Sequence, residues 1–70
     1  MGTVELAEFV RSSRGGRSYL DVVDGLALSH TYVWKIEHHQ IHEPSPNALR
    51  QLARGLGVPY HALMRAAGYL

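Results

Sequence analysis

The chain contains no cysteine. No disulfide can brace it, and thiolate metal sites and thiol nucleophiles are excluded. Length is also in short supply. Its 70 residues make one domain, residues 1–70, with a small core and a large wetted surface. No apolar run approaches the roughly 20 residues that a membrane-spanning helix needs. The opening Met1-Gly2-Thr3-Val4-Glu5 lacks the basic-then-apolar form of a signal peptide. Met1-Gly2 opens like a myristoylation signal, but Leu6 stands where that signal wants Ser or Thr. There is little excess charge: 7 Lys+Arg face 6 Asp+Glu, a net +1 with neutral histidines. Repeats and low-complexity tracts are absent as well.

What is present is a globular composition, 46% hydrophobic and 19% charged. The charge is unevenly distributed. Arg11, Arg14 and Arg17 lie close together with no acid among them. The stretch His30 to His42 holds Lys35 and four of the 5 histidines, opposed only by Glu37. Two basic segments in a nearly neutral chain predict one positive face.

Gly and Pro punctuate the chain, and the segments between them have helical spacing. Leu6, Phe9 and Val10, with Val4 upstream, predict a first helix from about Val4 to Ser13, broken by Gly15-Gly16. Ser18 is a good N-cap, and Asp21 puts negative charge in the following first turn, where the helix dipole favours it. Val22, Val23 and Leu26 give that second helix its apolar stripe. Ser29 caps a third helix ending near His38. Tyr32, Val33 and Ile36 form one face of it, while His30, Thr31, Trp34 and His38 form the other, with Lys35 at the edge. His39 to Pro44 is a loop. Ser45-Pro46 reads as an N-cap followed by a proline in the first turn. Leu49, Leu52, Ala53 and Leu56 stripe the fourth helix, and Gly57 stops it. Pro59 opens a fifth, with Tyr60, Leu63, Met64 and Ala67 on one face and Gly68 at its close. No segment alternates as a half-buried strand would. The expected fold class is all-α.

These residues carry a resemblance. Ser18 to Leu28, Ser29 to Glu37, the loop with Pro44-Ser45, and Leu49 to Val58 resemble the helix-turn-helix of the lambda-repressor/Cro (XRE) family. The segment Leu28-Ser29-His30-Thr31-Tyr32-Val33-Trp34-Lys35-Ile36-Glu37 is similar to that family's most recognisable stretch. Leu52-Ala53-Arg54-Gly55-Leu56-Gly57-Val58-Pro59 is similar to its fourth-helix ending. The resemblance covers nearly the whole chain. It implies a five-helix lambda-repressor-like domain that binds an operator in double-stranded DNA, as a homodimer or through paired domains, with helix three in the major groove.

Carried over by position, Ser29, His30, Thr31, Trp34 and Lys35 fall where the family faces base edges. Ser18 and Tyr19 open the second helix, which meets a phosphate. Arg14, Arg17, His38, His39, Asn47 and Arg50 are further phosphate candidates. Arg11 and Glu37 occupy positions of a structural ion pair. There are departures. Tyr19 replaces a common Gln and Val23 a usual Ala. Ala27 replaces the turn Gly, which predicts strain if the left-handed backbone is kept there. Gly16-Arg17 lengthens the first connection by one residue.

Each feature has a plainer alternative. Trp34 packs on nucleotide edges or a partner, or lies on the surface covering Ile36. His30 and Thr31 contact bases, or are solvated residues of a first turn; Lys35 contacts DNA or is a surface charge. Arg14 and Arg17 meet phosphate, or form a solvated cluster. His38 and His42 are four apart, but a helix break falls between them and no Cys or placed carboxylate completes a site, so no metal is expected. The serines sit at helix ends, as capping predicts. Asp21 and Asp24 share a helix without a pocket, so no catalytic activity, cofactor or small-molecule substrate is expected.

The function that follows is a sequence-specific transcriptional regulator of the phage repressor or Cro kind. It would be cytoplasmic, nucleoid-associated and prokaryotic or phage-borne, with no membrane partner. Ala66, Ala67, Tyr69 and Leu70 gather apolar area for dimerisation. The alternative is a protein-interaction module or antitoxin of the same fold, favoured by low net charge and an outward Trp34.

Overall fold

Three serines begin three helices. Ser18, Ser29 and Ser45 each sit in extended backbone and accept a hydrogen bond from the amide three residues on, at Asp21, Tyr32 and Ala48. The computed structural model describes residues 2–70, with side chains from Glu5 onward, so the Val4 side chain lies outside the described residues. The elements are α1 (Gly2–Arg14), α2 (Tyr19–Val22), α3 (His30–Glu37), α4 (Pro46–Leu56) and α5 (Tyr60–Ala66). Among the described residues all regular structure is helical, so the fold class is all-α.

The stripes converge on one core. Leu6 and Val10 of α1, Val22 of α2, Val33 and Ile36 of α3, Leu49, Leu52 and Leu56 of α4, and Leu63 of α5 are buried together. α1 runs against α3 and α5, α4 lies on α5, and α2 sits on α3 and α4. Burial of these aliphatic side chains contributes about 1.5–3 kcal/mol each. No helix is long and apolar enough to cross a membrane among the described residues.

The second helix is shorter than its stripe predicts. Only one turn, Tyr19–Val22, is helical, and Val23 to Leu28 form turns and bends rather than a continuation to Leu28. The reason is local. Gly25 adopts φ +76, and the Leu26 amide closes a four-residue turn on the Val23 carbonyl at 2.9 Å. Leu26 is half-buried, with its Cδ1 beside Gly55 of α4. The left-handed residue of this connection is therefore Gly25. Ala27 has no positive φ, so the strain expected at Ala27 does not arise.

The endings of α3, α4 and α5 follow one pattern. α4 and α5 end on Gly57 and Gly68, both left-handed, with the next amide bonding back five residues: Val58 to the Ala53 carbonyl, Tyr69 to the Met64 carbonyl. α3 ends in the same way, Gln40 to the Lys35 carbonyl at 2.8 Å, yet its left-handed residue is His39 at φ +60. A side chain occupies the place that glycine takes elsewhere.

Candidate functional site

α3 presents two faces. Val33 and Ile36 are buried and Tyr32 is half-buried. His30, Thr31, Trp34, Lys35 and His38 are exposed, and Ser29 caps the helix in front of them. Trp34 is 38% exposed. Its indole stacks on the His38 imidazole, with centroids 3.9 Å apart and planes 15° off parallel. His38 Nδ1 also lies 2.8 Å from the Trp34 carbonyl. A carbonyl only accepts, so Nδ1 carries the proton and donates. One hydrogen bond and one stack thus fix His38 to α3, with Nε2 as its uncommitted nitrogen.

At the end of α3 the chain turns inward through Glu37, whose side chain is 1% exposed. Two arginines and a tyrosine reach it. Arg14 is bidentate, Nε to Oε2 at 2.7 Å and Nη2 to Oε1 at 3.0 Å. The Tyr19 hydroxyl donates to Oε1 at 3.1 Å, and the Arg14 guanidinium lies 4.2 Å above the Tyr19 ring centre. Arg11 Nη2 donates to the Glu37 backbone carbonyl at 2.8 Å, with its Nε 3.5 Å from Oε1. Burial alone pushes the Glu37 carboxyl up. The bonds from Arg14 and Tyr19, with the charges of Arg14 and Arg11, outweigh that and hold it below its ordinary value. The same site raises the other partners: the bond to Glu37 raises Arg14 against its own desolvation, and burial raises the Tyr19 phenol.

This arrangement revises the arginine assignments made on spacing. The pair expected at Arg11–Glu37 is present, but Arg14 holds the carboxylate more closely, and Arg11 remains 54% exposed. Arg14 was a candidate for phosphate. Its third nitrogen, Nη1, donates to the Arg17 carbonyl at 2.8 Å, so the whole guanidinium is committed inside the protein. Arg17 is committed too. Its Nη1 and Nη2 donate to the Gly55 and Leu56 carbonyls at the end of α4, and Nη2 and Nε to the Ser13 and Arg14 carbonyls at the end of α1. One guanidinium closes two helix C-termini, whose carbonyls lack partners within their own helices. Tyr19, a further phosphate candidate, is turned to Glu37.

The other candidates stay on the surface. Ser18 is exposed at the α2 cap, His39 is exposed at the end of α3, and Asn47 and Arg50 are exposed on α4. Arg50 lies 5.0 Å from the Tyr60 ring centre. Leu20 on α2, which spacing did not single out, is 63% exposed. A shallow groove of about 340 Å³ between α1 and α5 is lined by Glu5, Phe9, His61, Ala62, Arg65 and Ala66. Tyr69 and Leu70 are exposed, and the Tyr69 hydroxyl donates to the Pro44 carbonyl at 2.6 Å, tying the chain end to the loop after α3. No cluster able to hold a metal ion occurs among the described residues. Comparison with protein-family models, curated proteins and solved structures returned no match.

Proposed function

We propose that this chain is a lambda-repressor/Cro-type helix-turn-helix domain that binds double-stranded DNA and regulates transcription, with α3 in the major groove. The observation that carries the reading is the exposed side of α3. His30, Thr31, Trp34 and Lys35 stand outward on a helix whose opposite side is locked by Val33, Ile36 and the Glu37 clamp. A rigid helix with hydrogen-bonding and aromatic tips on one side is what base-edge contact needs. Ser18, His38, His39, Asn47 and Arg50 are exposed around it and supply the phosphate contacts. A second copy meets this one at the α5 end, where Tyr69 and Leu70 are exposed. The nearby groove between α1 and α5 carries both Glu5 and Arg65. The domain is assigned to the prokaryotic or phage cytoplasm on this reading alone.

Selection of bound fragments from random duplex DNA tests it. The expected result is an enriched pseudo-palindrome with half-sites about 34 Å apart. Replacing Trp34 or Lys35 with Ala is expected to weaken binding to the enriched site by about 1 kcal/mol or more each. No enrichment, or unchanged affinity in both variants, removes α3 from a DNA interface.

A second reading, a protein-interaction module or antitoxin of the same fold, is favoured by the internal commitment of Arg14 and Arg17 and by the exposure of Leu20 beside Trp34's helix. Salt separates the two. Binding through phosphates weakens steeply with ionic strength, whereas an apolar protein contact barely responds.

A further inference from the structure

The candidate DNA face holds more histidine than permanent cation. From Ser18 to Arg50 the chain has two permanent cations, Lys35 and Arg50, against Asp21, Asp24, Glu37 and Glu43. Glu37 is neutralised by Arg14 and Arg11, but that use withdraws Arg14 from the surface, and Arg17 is bound to helix ends. With neutral imidazoles this segment repels a polyanion. The same segment holds His30, His38, His39 and His42, all exposed. Their protonation reverses the sign. Histidine is the side chain whose charge changes in the physiological pH range.

His38 is the member built to use the proton. Its Nδ1 already donates to the Trp34 carbonyl, and its ring is held against the indole. A neutral His38 therefore offers only an acceptor at Nε2, which a phosphate oxygen cannot use. A proton added at Nε2 leaves the Nδ1 bond and the stack in place and makes the outward nitrogen a charged donor. The elements packed against α3 are α1, with Glu5, Glu8, Arg11 and Arg14, and α2, with Tyr19 and Asp21 and then Asp24 just after it; His30, Tyr32, Lys35 and Glu37 share α3 itself, and His39, His42 and Glu43 follow it.

We propose that the exposed face of α3 is a proton-gated phosphate contact, with His38, positioned by Trp34, switching from acceptor to donor so that duplex DNA binds more tightly as pH falls. The proposal rests on the DNA-binding reading above and adds its regulation.

The test is fluorescence anisotropy with a labelled random-sequence duplex long enough for two half-sites, at constant ionic strength, between about pH 7.5 and about pH 6. Far-UV circular dichroism at each pH checks that the chain stays folded. The expected result is about tenfold tighter binding per pH unit for each net proton taken up. His38→Gln, at an exposed position, is expected to keep the fold and flatten the pH profile. Binding that is equally tight at both ends of the range overturns the proposal while leaving the DNA reading intact. So does a pH profile that His38→Gln leaves as steep. Absence of binding throughout overturns both.

Discussion

Arg14 grips Glu37 across two parallel hydrogen bonds of 2.7 and 3.0 Å, tying the C-terminal end of α1 to the C-terminal end of α3. The carboxylate is almost wholly buried and the guanidinium largely so, at 1% and 18% side-chain exposure. Removing one member of such a pair strands the other. Arg14→Ala is expected to destabilise the fold by about 3 kcal/mol. Arg11→Ala, at a solvated partner, is expected to stay within about 1 kcal/mol. Urea titration of both variants checks the order; equal losses contradict it.

Acid is expected to undo the same clamp. The Glu37 carboxyl is held below its ordinary 4.5, so its stabilisation is fully present above that value. It is lost as pH falls through the lowered folded value. Thermal midpoints of the native chain should hold steady down to about pH 5 and then drop. Glu37→Gln should start lower and lose less on acidification. An equal acid loss in both chains contradicts the assignment.

Gly55 marks where α4 and α2 come closest. A Cβ built there lands on the Val22 carbonyl oxygen and 2.8 Å from Leu26 Cδ1. Alanine's better helix propensity, worth about 1 kcal/mol, cannot relieve a clash with backbone. Gly55→Ala is expected to lower stability by about 1–3 kcal/mol. Gly16 has no positive φ and nothing within 4 Å of a Cβ, so Gly16→Ala is the neutral control. Chemical denaturation of the pair gives the comparison.

His39 holds a left-handed backbone where α4 and α5 use glycine. His39→Gly is expected to stabilise the fold by about 1 kcal/mol by removing that strain. If the side chain meets phosphate, the same variant binds duplex DNA more weakly. Opposite shifts in melting temperature and affinity are the expected signature, and a gain in both would remove His39 from the interface.

Arg17 and Lys35 separate structure from binding. Arg17→Ala should lower the melting temperature, since four carbonyls at two helix ends lose a guanidinium donor. It should leave the salt dependence of DNA binding unchanged. Lys35→Ala should do the reverse, reducing the salt slope by about one per protomer. Affinities across a salt series give both slopes.

Local chemistry was legible without coordinates. A serine before an apolar stripe is a cap wherever it occurs, because the next turn's amide needs an acceptor. The stripes on α1, α3, α4 and α5 each mark a face that must be buried, so the helical class and the outward placement of Trp34 follow from spacing. The α2 stripe was misleading for a physical reason. Val22 is buried at the end of a single turn, and Gly25's left-handed backbone follows before Leu26, so the apolar spacing continues where the helix does not.

Sequence by itself determined where helices start, which sides they hide, and that histidine and arginine cluster in two places, since these depend on neighbours a few residues apart. It could not assign the arginines. Arg11 and Arg14 are one turn apart on the same helix, and only the arrival of α3 from across the fold decided which of them holds Glu37 closely. Likewise only the meeting of the α1 and α4 ends engaged the exposed Arg17 across them. Long-range packing distributes a limited set of charges, and what it leaves outside on α3 is Lys35 and imidazole.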